Sequence, residues 1–151
     1  MRTYLVVIDD SPEANLALRF AARRAARTGG GVIVLTIIPP QDFVAFGGVQ
    51  ATIEAEAREH AEQLAAAAAG AVAQETNVVP QIMVRSGKPT EVVREVMSGN
   101  NEISALVLGT AASGAPGPLV TYFTGQDTGS LPCPVMLVPG GIDIDRLDAL
   151  S

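Results

Sequence analysis

Five short, nearly continuous apolar runs recur along the chain: Tyr4–Ile8, Val32–Ile38, Val78–Val84, Ser104–Leu108 and Pro134–Pro139. Each is divided from the next by a stretch long enough for a helix. A strand that is apolar on both sides of its pleat must be covered on both faces. Alternation of such strands with helix-length crossovers therefore leads to a mainly parallel sheet built from right-handed βαβ units. We expect an α/β fold: a single doubly wound, Rossmann-like domain with helices on both faces, over residues 1–140. Residues 141–151 read as a polar, acidic tail with no packing period, a frayed end.

The intervening stretches carry helix signals. Ser11-Pro12-Glu13 gives a hydroxyl N-cap, a proline at the first helical position and an acid in the first turn. The helix that follows has Ala14, Leu18, Ala21 and Ala25 on one stripe and Asn15, Arg19, Arg23 and Arg27 on another, and stops at Gly29-Gly30-Gly31. After a loop over 41–49, an alanine-rich helix runs from about Ala51 to Gln74. Its expected seam is Ile53, Ala57, Leu64, Ala68 and Val72, with His60 partly buried beside it. Pro80 puts the third strand near a sheet edge. Gly87-Lys88-Pro89 opens a third helix that buries Val92, Val93, Val96 and Met97 and ends at Gly99-Asn100.

Bulk properties exclude several function classes. The net charge of −6 disfavours nucleic-acid backbones and anionic membrane surfaces, and no basic cluster opposes it. No apolar run approaches the ~20 residues of a membrane span, and the amino terminus reads as a strand rather than a signal peptide. One cysteine, Cys133, rules out an internal disulfide and suits a reducing compartment. A cytoplasmic location is expected.

Ligands of open α/β sheets bind outside the carboxyl ends of the strands, where the strand order reverses. Asp9 closes the first strand and Gly109 the fourth. If these strands are neighbours, one crevice has carboxylates on one side and the glycine-rich segment Gly109–Gly117 on the other. The competing reading is structural: glycines for a tight turn, Asp9 for a helix cap. Gly87-Lys88-Pro89-Thr90 fails as a P-loop, because no glycine stands five residues before Gly87 and proline takes the Ser/Thr position. His60, the single histidine, has no nucleophile elbow to serve. Cys133 reads as a small buried hydrophobe. No catalytic set and no metal cluster emerges.

Val7-Ile8-Asp9-Asp10-Ser11, Thr36-Ile37-Ile38, Gly87-Lys88-Pro89, Leu106-Val107-Leu108-Gly109 and Cys133-Pro134-Val135 occur in an order and spacing that resemble the universal stress protein family over residues 3–139. The resemblance implies a five-stranded parallel sheet ordered 3-2-1-4-5 and a homodimer through the last strand. It also implies adenine held by a carboxylate at Asp9 and by backbone at Ile37. Ribose and phosphates would lie along a loop of the form G-x2-G-x9-G-[S/T].

The chain departs from that loop. Gly109 matches the first glycine, but Ala112 stands at the second and Tyr122-Phe123 at the Gly-Ser/Thr pair. A shifted register gives Gly114, Gly117 and Gly125, with Gln126 in place of the hydroxyl. A replacement hydroxyl would then come from Thr124 or Thr128. No Lys or Arg lies in the loop to meet a triphosphate, and Asp127 would repel one unless Mg²⁺ intervened. The expected site is therefore Asp9, Ile37, Gly109, Gly114, Gly117, Gly125 and Gln126, taking ATP or another adenine nucleotide weakly or not at all, with Mg²⁺ only alongside a triphosphate. The functional expectation is a dimeric, non-catalytic stress-response protein that signals through a protein partner. The alternative is an ATP-dependent switch or slow ATP hydrolase.

Overall fold

The computed structural model describes residues 1–40 and 47–151, with backbone alone for 47–50. Its elements alternate as β1 (Thr3–Val7), α1 (Pro12–Thr28), β2 (Gly31–Ile38), α2 (Gly47–Thr76), β3 (Gln81–Ser86), α3 (Pro89–Gly99) and β4 (Ile103–Thr110). There follow α4 (Pro118–Phe123), a 3₁₀ turn (Thr128–Ser130), β5 (Val135–Pro139) and α5 (Ile144–Leu150). The five strands form one parallel sheet in the order β3-β2-β1-β4-β5. This is the doubly wound architecture expected, and Asp9 and Gly109 do stand at the ends of neighbouring strands.

Side-chain alternation sorts the strands into two cores. Tyr4, Val6, Val32, Val34, Ala105, Val107 and Val138 pack beneath α1, α2 and α5, against Leu18, Ala65, Val72 and Leu147. Leu5, Ile33, Leu35, Leu106 and Leu108 pack on the opposite face against Val92, Val93 and Met97 of α3 and Val120 and Phe123 of α4. Both faces of β1, β2 and β4 are thus removed from water, which is why their sequences are continuously apolar.

Helix α1 lies close to the sheet because its buried stripe is almost wholly alanine: Ala14, Ala17, Ala21, Ala22 and Ala25. Gly109 completes the fit. A Cβ there would stand 2.1 Å from the Glu13 carbonyl oxygen, so only glycine allows the first turn of α1 to rest on β4. The helix ends on Gly29 at φ 69°, a left-handed C-terminal residue.

Several boundaries differ from the sequence reading. Helix α2 begins at Gly47, so the loop expected over 41–49 ends sooner, and residues 41–46 of it lie outside the described residues. Its buried seam is Ala61, Ala65, Ala69 and Val72, one step round from the expected stripe, and this leaves His60 exposed. Strand β3 starts at Gln81 rather than Val78. Asn77 at φ 61° turns the chain out of α2, and Val79 is left exposed. Strand β4 continues through Gly109 and Thr110, which pair with Val138 and Pro139, so the glycine-rich loop starts only after them.

The end of the chain is not frayed. Asp143 caps α5 by accepting from the Asp145 and Arg146 N–H groups, and Leu147 is fully buried. Asp148 receives both Nε and Nη2 of Arg19 at 2.8 Å, and Arg23 Nε lies 3.3 Å away. Arg19 also reaches Glu75 of α2 at 2.8 Å. The arginine stripe of α1 therefore clamps the carboxyl-terminal helix in place.

Candidate functional site

The crevice predicted at the reversal of strand order is a cavity of about 370 Å³. That lies near the small end of the usual range for ligand pockets. Five chain segments converge on it: the β1–α1 connection with the first turn of α1, the end of β2, the start of α3, the end of β4, and the approach to α4. Its walls are aliphatic or proline, including Val7, Ile37, Leu108 and Leu119. The polar side chains among the lining residues are Asp9, Ser11 and Glu13; none is Lys, Arg or His.

Asp9 is held in a defined orientation. Its Oδ1 accepts the Ser11 backbone N–H at 2.8 Å and also the Ser11 hydroxyl. Ser11 therefore occupies the N-cap position of α1 without capping it, because its hydroxyl donates backwards to Asp9. This is a departure from the hydroxyl cap expected. Among the described residues nothing donates to Asp9 Oδ2, which leaves one carboxylate oxygen available as an acceptor. The Glu13 and Ala14 segment of α1, at the positive end of its helix dipole, also borders the cavity.

Of the seven site residues expected, the structure gathers four around this cavity: Asp9, Ile37, Gly109 and Gly117. Gly117 needs to be glycine, since its φ of 124° with ψ of 151° is a conformation other residues avoid. Gly114, Gly125 and Gln126 are not in the lining. Gly114 sits at φ 75° in the 111–117 loop, closed by Ala111 N–H donating to the Pro116 carbonyl at 3.1 Å. Gly125 falls beyond the far end of α4, its N–H directed to the Tyr122 carbonyl, and Gln126 is exposed. The hydroxyls of Thr124 and Thr128 donate to backbone carbonyls of the same segment. Sequence reasoning overlooked the prolines Pro39, Pro89, Pro116 and Pro118; Pro39 stands just after β2, Pro89 and Pro118 open α3 and α4, and Pro116 lies in the loop before α4, all in the cavity lining.

Groups considered as alternatives lie elsewhere. His60 Nε2 meets Asp10 Oδ2 at 3.4 Å, both exposed and outside the cavity lining. Cys133 is half-buried against the α3 side of the sheet, where desolvation raises its pKa above the ordinary thiol value. Among the described residues no group of three or more His, Cys, Asp or Glu is placed to hold a metal, and no helix is long and apolar enough to cross a membrane.

Residues 1–139 match the family model described as the universal stress protein family. The chain belongs to that family. No curated protein is significantly similar to it. Among solved structures, it is similar to a universal stress protein from Burkholderia pseudomallei, with a TM-score of 0.65 at 18% identity, covering 91% of this chain and 95% of that one. Universal stress protein UspA from Lactobacillus plantarum gives 0.62 at 20% identity, over 91% and 97% of the two chains. The universal stress protein from Archaeoglobus fulgidus in complex with dAMP gives 0.61 at 17% identity, over 91% and 97%. At these identities the likeness is one of fold.

The segment in which the unshifted register expects a Gly-Ser/Thr pair is packed as part of the core. Tyr122 and Phe123, which stand at those positions, end a two-turn helix that packs on α3. Phe123 is fully buried, its ring edge-on to Tyr122 at 4.9 Å. Arg94 lies over the Tyr122 ring and donates to its hydroxyl at 2.8 Å.

Proposed function

We propose that this universal stress protein is a non-catalytic, cytoplasmic, dimeric stress-response protein whose β1/β4 crevice recognises an adenine ring. The observation that carries the reading is Asp9. Asp9 lines a slot walled mainly by apolar residues such as Ile37 and Leu108, and among the described residues its Oδ2 has no donor, an arrangement suited to a flat ring with an exocyclic amine. The dAMP carried by the Archaeoglobus fulgidus relative is an adenine compound and favours the same assignment. Phosphoryl transfer requires positive charge placed against the negatively charged transferred group, and the lining residues offer none, which favours binding over hydrolysis. The test is calorimetric titration of nucleotide-stripped protein with adenosine, accompanied by a phosphate-release assay with ATP. Binding of one adenosine per chain without phosphate release supports the reading. Phosphate release would favour a slow hydrolase instead.

The dimer is proposed through β5, the edge strand beside β4. Leu137 is 44% exposed there, whereas Val138 is buried within the protomer. An exposed apolar residue on an unpaired edge invites pairing with a second copy. Leu137→Lys should give a folded monomer by light scattering; an unchanged mass would refute this interface.

A further inference from the structure

We propose that the crevice discriminates against phosphate, so that it selects unphosphorylated adenosine-type compounds over their nucleotides. This rests on the adenine reading above and adds the class of ligand. Three features carry it. Two of the three polar side chains in the lining, Asp9 and Glu13, are carboxylates, and no lining residue is cationic. Two cations stand nearby without being part of its wall: Lys88 is exposed next to Pro89, and Arg58 lines an adjoining cavity that shares Pro39, where it donates to the Ser86 hydroxyl at 3.2 Å. The threonine hydroxyls beyond the loop are engaged locally, with Thr121, Thr124 and Thr128 all donating to backbone carbonyls.

One feature opposes the idea. The amino end of α1 brings partial positive charge, about half an elementary charge. Asp9 and Glu13 together outweigh it, and the net charge of −6 adds to the repulsion at longer range. A phosphate brought to the mouth would face like charges in a partly desolvated slot, where two unit charges several ångströms apart repel strongly enough to cost roughly tenfold in affinity.

Parallel titrations with adenosine, AMP and ATP, in EDTA so that no metal masks charge, test this. The expected order is adenosine tightest, AMP about tenfold weaker, and ATP weaker still. The gap should narrow between about 0.01 and 1 M salt as the screening length falls from about 30 to 3 Å. Glu13→Gln should narrow it at low salt. AMP or ATP binding more tightly than adenosine would overturn the selectivity while leaving the adenine reading intact. A gap that ignores salt would overturn the electrostatic cause. Failure of every adenine compound to bind would overturn both.

Discussion

Gly109 was read from the sequence as the first glycine of a ligand loop, and the structure shows what the position requires for packing. Its Cα faces the first turn of α1 so closely that a methyl group would overlap the Glu13 carbonyl. The same close approach puts Gly109 in one cavity lining with Asp9, Ser11 and Glu13. Gly109→Ala should therefore cost about 2–3 kcal/mol of stability, lowering Tm by on the order of 8 °C. Gly70, in mid-helix with open space around it, supplies the contrast. Gly70→Ala should raise stability by about 0.5–1 kcal/mol through helix propensity alone. Thermal unfolding of both variants measures this; equal effects would show that packing at Gly109 is not what the position requires.

At the level of elements, the best-read segments were those whose environment leaves one pattern open. Strands β1, β2, β4 and β5 are set by burial on two faces or by enclosing turns, and their positions were evident from apolar runs. Helix α2 was harder, because alanine is compatible with burial and exposure alike. Its seam was assigned one step away, and His60 with it. Helix α5 was invisible: seven residues cannot sustain a helix in isolation. It is held by Leu147 and by the pairing of Asp148 with Arg19 and Arg23, partners more than a hundred positions earlier. That pairing has a pH signature. The hydrogen bond from Arg19, and then its charge, hold the Asp148 carboxyl below the usual carboxylate range. A depressed pKa contributes stability that is present above the unfolded value of about 3.9 and is lost as pH falls through the folded one. Amide exchange in α5 should accelerate below about pH 4, and Asp148→Asn should show fast exchange at neutral pH with no further acid step. An α5 equally protected in both proteins would remove the clamp from the account.

Across the whole molecule, fold and site were legible to different depths. Alternating strands and helices lead to the doubly wound sheet, and the order of its strands brings Asp9, Ile37 and Gly109 together. The glycine register was not legible. Whether Gly114, Gly117 or Gly125 faces the crevice depends on where α4 starts and on the burial of Phe123, a tertiary contact no spacing rule reports. The most direct measurement of this account is calorimetric titration of nucleotide-stripped protein with adenosine, comparing the natural chain with Asp9→Ala. We predict one site per chain in the natural protein and at least about tenfold weaker binding in the variant, the loss of a hydrogen bond to a charged acceptor. Adenosine binding that is indifferent to Asp9, or no binding at millimolar adenosine, would contradict it.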